Sequence, residues 1–155
     1  MKQWQYIGGS NMVELKRLNI DSREETDLYK YYVRQLYKSI KSDAEELGIT
    51  DFDATYTDQD FWHRVRYKSR KFYWIIVNNS IVGIITIQDL GDVIKISNIF
   101  IEPSYRGYGY GSKAIKIIKE KYNKPLTLHV YYEGRAERLY KRLGFKPVYK
   151  ELLLK

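Results

Sequence analysis

Three glycines stand within five residues directly after an arginine, in the run Arg106-Gly107-Tyr108-Gly109-Tyr110-Gly111. Glycine costs stability in the interior of a helix or a strand, so the cluster marks a joint with a task of its own. The residues before it, Asn98-Ile99-Phe100-Ile101-Glu102-Pro103, end a strand pattern, and those after it open a helical one. The first N–H groups of a helix have no partner inside it and carry a partial positive charge. Glycines let the chain turn there and let a ligand approach the bare backbone. The loop from Arg106 to Ser112 therefore reads as a nest of N–H donors for phosphate oxygens, with Arg106 as an adjacent cation. A turn chosen for tightness alone is the plainer alternative. Two familiar phosphate loops are excluded: no Gly-Lys-Ser/Thr follows, and the preceding strand is the third of a meander, not the first of a βαβ unit.

Other chemistry is bounded by what the chain lacks. It has no cysteine, which removes disulfides, thiolate metal sites and a cysteine nucleophile, and no metal site is expected. His129 lies on a strand pattern, where a lone histidine is more often structural than catalytic. From Ser42 to His63 there are seven acids (Asp43, Glu45, Glu46, Asp51, Asp53, Asp58, Asp60) and no Lys or Arg. Such runs are usually solvated faces; the sharper reading is an acidic wall for a cationic substrate. Residues 1–90 hold 13 Lys/Arg and 13 Asp/Glu, whereas residues 91–155 hold 14 and 6. The whole net charge of +8 thus sits in the half with the glycine joint, which suits anionic partners.

The elements that must position these residues alternate along the chain. Val13–Leu18 reads as a strand. Ser22 to Ile40 reads as a helix with Asp21 or Ser22 as N-cap and Glu24 and Glu25 in its first turn. Leu28, Tyr31, Tyr32, Gln35 and Leu36 lie near one of its faces. Weaker helical stretches cover about Ser42 to Leu47 and Thr57 to Tyr67. Phe72–Val77 and Ile81–Ile87 form a hairpin about Asn78-Asn79-Ser80, and Val93–Ile101 adds a third strand. Tyr110 to Tyr122 carries Ala114, Ile117, Ile118 and Tyr122 at helical spacing. Leu126–Tyr132 reads as a strand, Ala136, Leu139, Tyr140 and Leu143 as a helical stripe stopped by Gly144, and Phe145–Leu154 as a final strand. The length suits one domain. No apolar run approaches the ~20 residues that span a bilayer, and no secretory signal is read at the start. Residues 1–11 are expected to be a mobile lead-in, residues 12–155 one α/β domain, and the location cytoplasmic.

The run Arg106–Gly111 resembles the R/Q-x-x-G-x-G/A loop that holds the acyl-CoA pyrophosphate in the GNAT-type N-acetyltransferases. Asn98–Pro103 is similar to the strand before that loop. The stretch "AERLYKRLGF", Ala136–Phe145, is similar to the family's A-x-x-L-Y-x-x-x-G-F helix. The resemblance covers Phe72 to the C-terminus by motif and the first 70 residues by element order. It implies a GNAT-like single domain whose mixed central sheet of about six or seven strands is flanked by helices. It also implies acetyl-CoA as donor, with coenzyme A as co-product. Backbone groups of Ile99, Phe100 and Ile101 would pair with the pantetheine arm, as a peptide adds to a strand edge. Amides of Arg106, Gly107, Tyr108, Gly109, Tyr110, Gly111 and Ser112 would hold the pyrophosphate, and Lys113 or Lys141 the 3′-phosphate. Tyr140 would be the catalytic acid that protonates the departing thiolate.

Departures from the family pattern shape the remaining expectations. Glu133 stands where the family's second motif often has asparagine. Lys95 stands where a subset of the family places a glutamate base, so the base is open between Asp92, His129 and an ordered water. Glu102 is expected to face solvent. Without a cysteine, direct attack by a primary amine is the simplest route, the acceptor being a polyamine, amino-sugar, amino acid or protein amine, cationic if the acidic run forms a wall. Two rivals stand beside this transferase reading. One is a non-catalytic acyl-CoA sensor on the same fold, and Lys95 favours it mildly. The other is an RNA- or tRNA-directed protein using the basic patch Tyr131, Tyr132, Arg135, Arg138, Lys141 and Arg142, against which the acidic run argues. No membrane partner is expected, and exposed edge strands leave monomer and homodimer open.

Overall fold

The computed structural model describes residues 3–8, 11–130, 135–149, 152 and 154. Among them six strands form one mixed sheet, in the order β1 (Gln3–Gly8), β2 (Asn11–Arg17), β3 (Arg70–Val77), β4 (Ser80–Asp89), β5 (Ile94–Ile101) and β6 (Leu126–Thr127). Neighbours run antiparallel up to β5, and β5 pairs β6 in parallel. Helices α1 (Arg23–Glu46), α2 (Asp58–Val65), α3 (Tyr110–Tyr122) and α4 (Arg135–Arg142) complete the fold. The α/β class, the mixed sheet and the flanking helices agree with the sequence reading.

The sheet carries a core on each face. Alternation along β3 sends Tyr73, Ile75 and Val77 to the α3 side, with Ala114, Ile117 and Ile118, and Phe72 and Trp74 to the α1 side. The α1–α2 side is aromatic: Tyr29 meets Phe61, Phe72 and Trp74 with ring centroids 5.1–6.4 Å apart. Helix α1 is one continuous helix, capped by Ser22, whose Oγ accepts from the Glu25 N–H. Its buried stripe is Tyr29, Tyr32 and Val33, while Leu28 and Tyr31 are exposed. The expected stripe was therefore displaced, because tyrosines take the core positions that leucine would normally hold. Tyr29 can do so because its hydroxyl is satisfied by Thr86 Oγ1 at 2.6 Å and the Ile85 carbonyl.

The ends of the chain differ from the sequence reading. Residues 1–11 were set apart as a lead-in, yet Gln3–Gly8 pairs with β2 residue by residue. The strand expected from Leu126 contracts to Leu126–Thr127, and its Tyr131 and Tyr132 lie outside the described residues. The final strand Phe145–Leu154 is not formed over residues 145–149, and residues 150, 151, 153 and 155 of the tail lie outside the described residues. Phe145 packs on the α3-side core, but Val148 and Tyr149 beyond it are exposed. Pro147 also removes a ladder donor.

Candidate active site

The site begins as a fork between two strands. β5 is held by β4 along its length, but β6 joins it only through Ile94–Leu126 and Lys95–Thr127. Beyond Lys95 the parallel strands part, and from Ser97 onward β5 has its described strand partner on the β4 side alone. A β-bulge sits at the point of divergence: Ile87 faces Ile96 and Thr86 faces Asn98, which leaves Ser97 as the extra residue. The bulge resets the pleat. Ile94 and Ile96 before it, and Ile99 and Ile101 after it, all belong to the α3 side, while Phe100 is buried on the α1 side. Opposite Phe100 the strands pack closely. A Cβ at Gly83 would overlap the Phe100 carbonyl oxygen, so glycine is required by space there.

Past β5 the chain makes a 3₁₀ turn, Pro103–Tyr105, and then the glycine loop. Gly107 and Gly109 have φ of +88° and +80°, and Gly109 is the N-cap of α3. These are conformations that side chains resist. No other protein atom lies within 4 Å of where a Cβ would stand at either residue, so the backbone faces open space. The amides from Gly107 to Ser112 lie at or before the first turn of α3, where a helix offers no internal acceptor. An anion fits this cradle.

Arg106 plays a different part from the one expected. Its own N–H is donated to the Pro103 carbonyl, so it leaves the set of pyrophosphate amides. Its Nε donates to the Ile101 carbonyl at 2.8 Å and its guanidinium lies 5.2 Å from the Phe100 ring centroid. Arg106 therefore fastens the loop to the end of β5, and one lone pair of the Ile101 oxygen is already used. Glu102 also departs from expectation. It is half-buried, and its carboxylate accepts from the Tyr32 hydroxyl at 2.7 Å. That bond ties α1 to the end of β5.

Tyr140 is set by the end of α4. Gly144, at φ +97°, lets the chain reverse, so that the Phe145 N–H reaches back to the Tyr140 carbonyl at 3.0 Å. The Phe145 ring then packs edge-on against the Tyr140 ring, centroids 5.8 Å apart. Tyr140, Ile99 and Ile101 all pack on the α3-side core, which brings the tyrosine and the strand into one cluster. Burial raises the Tyr140 phenol above its ordinary value, so it is protonated at neutral pH. Ala136 and Leu139 of the expected stripe are exposed. Lys141 is engaged with Glu137 at 3.2 Å.

A cavity of about 220 Å³ opens beside the bulge, lined among others by Ser97, Asn98, Lys95, Arg64, Arg70 and His129. Its lining is cationic, and none of the acids of residues 43–60 is among its lining residues. The acids of residues 43–60 work elsewhere: Asp58 binds Lys30 and Arg34 at 3.1 Å each, Asp60 closes the capping box of α2 with Thr57, and Asp53 holds the Thr55 N–H. Of the base candidates, His129 borders the cavity, with Nε2 3.3 Å from the Tyr149 hydroxyl. Asp92 lies in the exposed turn before β5, on the paired side of the fork. Sequence reasoning missed Ser97, Arg64 and Arg70. The phase change from Ile94/Ile96 to Ile99/Ile101 is a signal that could have revealed the bulge.

The geometry matches known proteins. The profile described as the acetyltransferase (GNAT) family matches residues 24–145, most of the chain, and the chain belongs to that family. A Haemophilus influenzae [ribosomal protein bS18]-alanine N-acetyltransferase is 37% identical over 78 residues, spanning 48% of this chain and 53% of that protein. A Bacillus subtilis protein provisionally assigned the same activity is 30% identical over 108 residues, spanning 66% and 72%. The solved structure of the PaiA N-acetyltransferase from Thermoplasma acidophilum in complex with coenzyme A superposes with a TM-score of 0.55 at 16% identity, covering 85% of this chain and 87% of that one.

Proposed function

We propose that the protein transfers the acetyl group of acetyl-CoA directly to a primary amine, the N-terminal α-amine of a polypeptide. The observation that carries this reading is the forked edge of β5 running into a glycine nest at the head of α3. The named activities of the H. influenzae and B. subtilis relatives support the polypeptide acceptor.

Acetyl-CoA, when bound, supplies the thioester whose acetyl carbon the amine attacks. The chain's own residues do the rest. Backbone groups of Ile99–Ile101, on the edge of β5 that has no strand partner among the described residues, pair with an extended amide arm, and the amides from Gly107 to Ser112 take phosphate oxygens. Tyr140 keeps a proton on its hydroxyl for the sulfur that departs as a thiol. The amine loses a proton as it becomes an amide. His129, at the rim of the cavity, is placed to pass that proton outward.

The test is thiol release from acetyl-CoA across a panel of peptides with free N-termini, lysine peptides, polyamines and amino-sugars. The chain has no cysteine, so it adds no thiol signal of its own. Turnover with N-terminal amines, reduced about 10²–10⁴-fold in kcat by Tyr140→Phe with acetyl-CoA affinity kept, is expected. A Tyr140→Phe protein of unchanged kcat would remove the acid role. Acetyl-CoA binding without turnover on any amine would favour the sensor, for which Lys95 in place of a glutamate base is the specific observation.

A further inference from the structure

The cavity beside the bulge is built from four distant parts of the chain, and its charge is of one sign. Arg64 comes from α2, Arg70 from the start of β3, Lys95 from β5, and His129 from the segment after β6. Tyr37 of α1 joins them and accepts from Arg64 Nη1 at 3.1 Å. Among the described residues none of the three cations is ion-paired to a carboxylate. Asp60, a carboxylate that Arg64 influences, is committed to the cap of α2.

Among the described residues, Arg64 is held by neutral groups alone, the Tyr37 hydroxyl and the Tyr56 ring 5.1 Å from its guanidinium. Arg70 Nε is buried without a hydrogen-bond partner. Burial, and then the charge of Arg64, push the Arg70 guanidinium below its ordinary value. Arg64, Arg70 and Lys95 are half-buried, and a partly desolvated charge gains most from an opposite charge set beside it. Two guanidiniums and an ammonium around one cavity are therefore a site whose counter-charge arrives with a ligand. Guanidinium groups suit a carboxylate, which they bind in a two-point fork.

Resting on the transferase reading above, we propose that this cavity seats a carboxylate carried by the amine acceptor. The amine end then points along β5, past the bulge at Ser97 and Asn98, toward Ile99–Ile101, where the family resemblance puts the pantetheine arm. Lys95 and Asn98 are three residues apart, about 10 Å at ~3.3 Å per strand residue. An acceptor with its carboxylate within that reach of its amine, such as a chain beginning Ala-Glu, spans the gap. The cavity, about 220 Å³, is smaller than the ~300–1,000 Å³ of pockets that enclose a drug-sized ligand, and it suits one short acidic side chain.

The same cations have a second consequence. An amine attacks only in its neutral form, and nearby positive charge disfavours the ammonium. Lys95, standing where some family members carry a glutamate base, lowers the need for one by making deprotonation easier. An acidic wall would have bound a cationic acceptor while opposing this step.

The test compares kcat/KM for the amides of Ala-Glu, Ala-Gln and Ala-Lys, with free glutamate as the small-molecule arm. Wild-type protein is expected to prefer Ala-Glu over the isosteric Ala-Gln by about tenfold or more. In Lys95→Gln and in Arg70→Gln the ratio is expected to fall toward one, and in Lys95→Glu the preference should turn toward Ala-Lys. Acetylation of free glutamate at the rate of Ala-Glu would assign the carboxylate to a small acceptor, and slow acetylation of it would assign it to a peptide side chain. Equal use of Ala-Glu and Ala-Gln by wild type, or preference for Ala-Lys, overturns the proposal. If no amine is acetylated, the transferase reading fails separately, and the cavity is read by binding. N-acetyl-Ala-Glu should then raise the melting temperature of wild type but not of folded Lys95→Gln, and no wild-type shift would overturn the site.

Discussion

At the scale of single residues, the site depends on positions where only one side chain, or none, is acceptable. Gly83 is such a position because the Phe100 carbonyl occupies the space of a Cβ. Gly83→Ala is expected to destabilise the fold by about 1–3 kcal/mol, as overpacking does, read as a lower urea midpoint. In the proposed binding mode, where Phe100 and its neighbours receive the pantetheine arm, it should also weaken acetyl-CoA binding. Unchanged stability would mean that β4 and β5 separate freely there. Arg106 shows how geometry adds to a role: its sequence position suggests a cation beside phosphate, and its Nε also fastens the loop to the Ile101 carbonyl.

Among elements, the acidic run illustrates charge used for structure. Asp58 lies against Lys30 of α1 and Arg34, and the hydrogen bond and charge of Lys30, followed by Arg34, hold its carboxyl below the ordinary value. A carboxyl depressed in the folded state contributes stability that is fully present above its unfolded pKa, ~4. That contribution fades as pH falls through the folded value. Asp58→Asn is therefore expected to lower the melting temperature at pH 7, and the gap to wild type should close in acid as the Asp58 carboxyl takes up its proton. A gap that is the same at both ends would show that the α1–α2 contact does not depend on this charge. Lys30 is buried and also touches Asp27 at 3.2 Å, so part of the contact survives the substitution.

For the whole molecule, the fork between β5 and β6 is the feature that ligand binding should change most. Acetyl-CoA at 100 times its dissociation constant would stabilise the folded state by about 2.7 kcal/mol, roughly 5–10 °C in melting temperature for a domain of this size. Amide exchange should slow at Ile99–Ile101 and at Gly107–Ser112, with little change in β2 and β3. A thermal shift without protection at those residues would place the donor elsewhere.

Much of this was legible in the sequence, and for a local reason. The Asn78-Asn79 hairpin, the glycine nest, the α3 stripe and the Tyr140 helix ended by Gly144 each depend on residues a few positions apart. Positive φ, missing helix acceptors and i/i+4 spacing act within such short spans, so residue types alone are enough to predict them. The strand expected from Phe145 is not formed over residues 145–149, where residues 146–149 are exposed and the alternation has no described strand to pair with. Only the tertiary structure decided where β6 leaves β5, that Ser97 is the bulge, and that Arg64, Arg70 and Lys95 share one cavity. Those facts depend on pairings between residues tens of positions apart. Asp53, Asp58 and Asp60 found local turns, caps and ion pairs, while cations from separate elements converged at the fork.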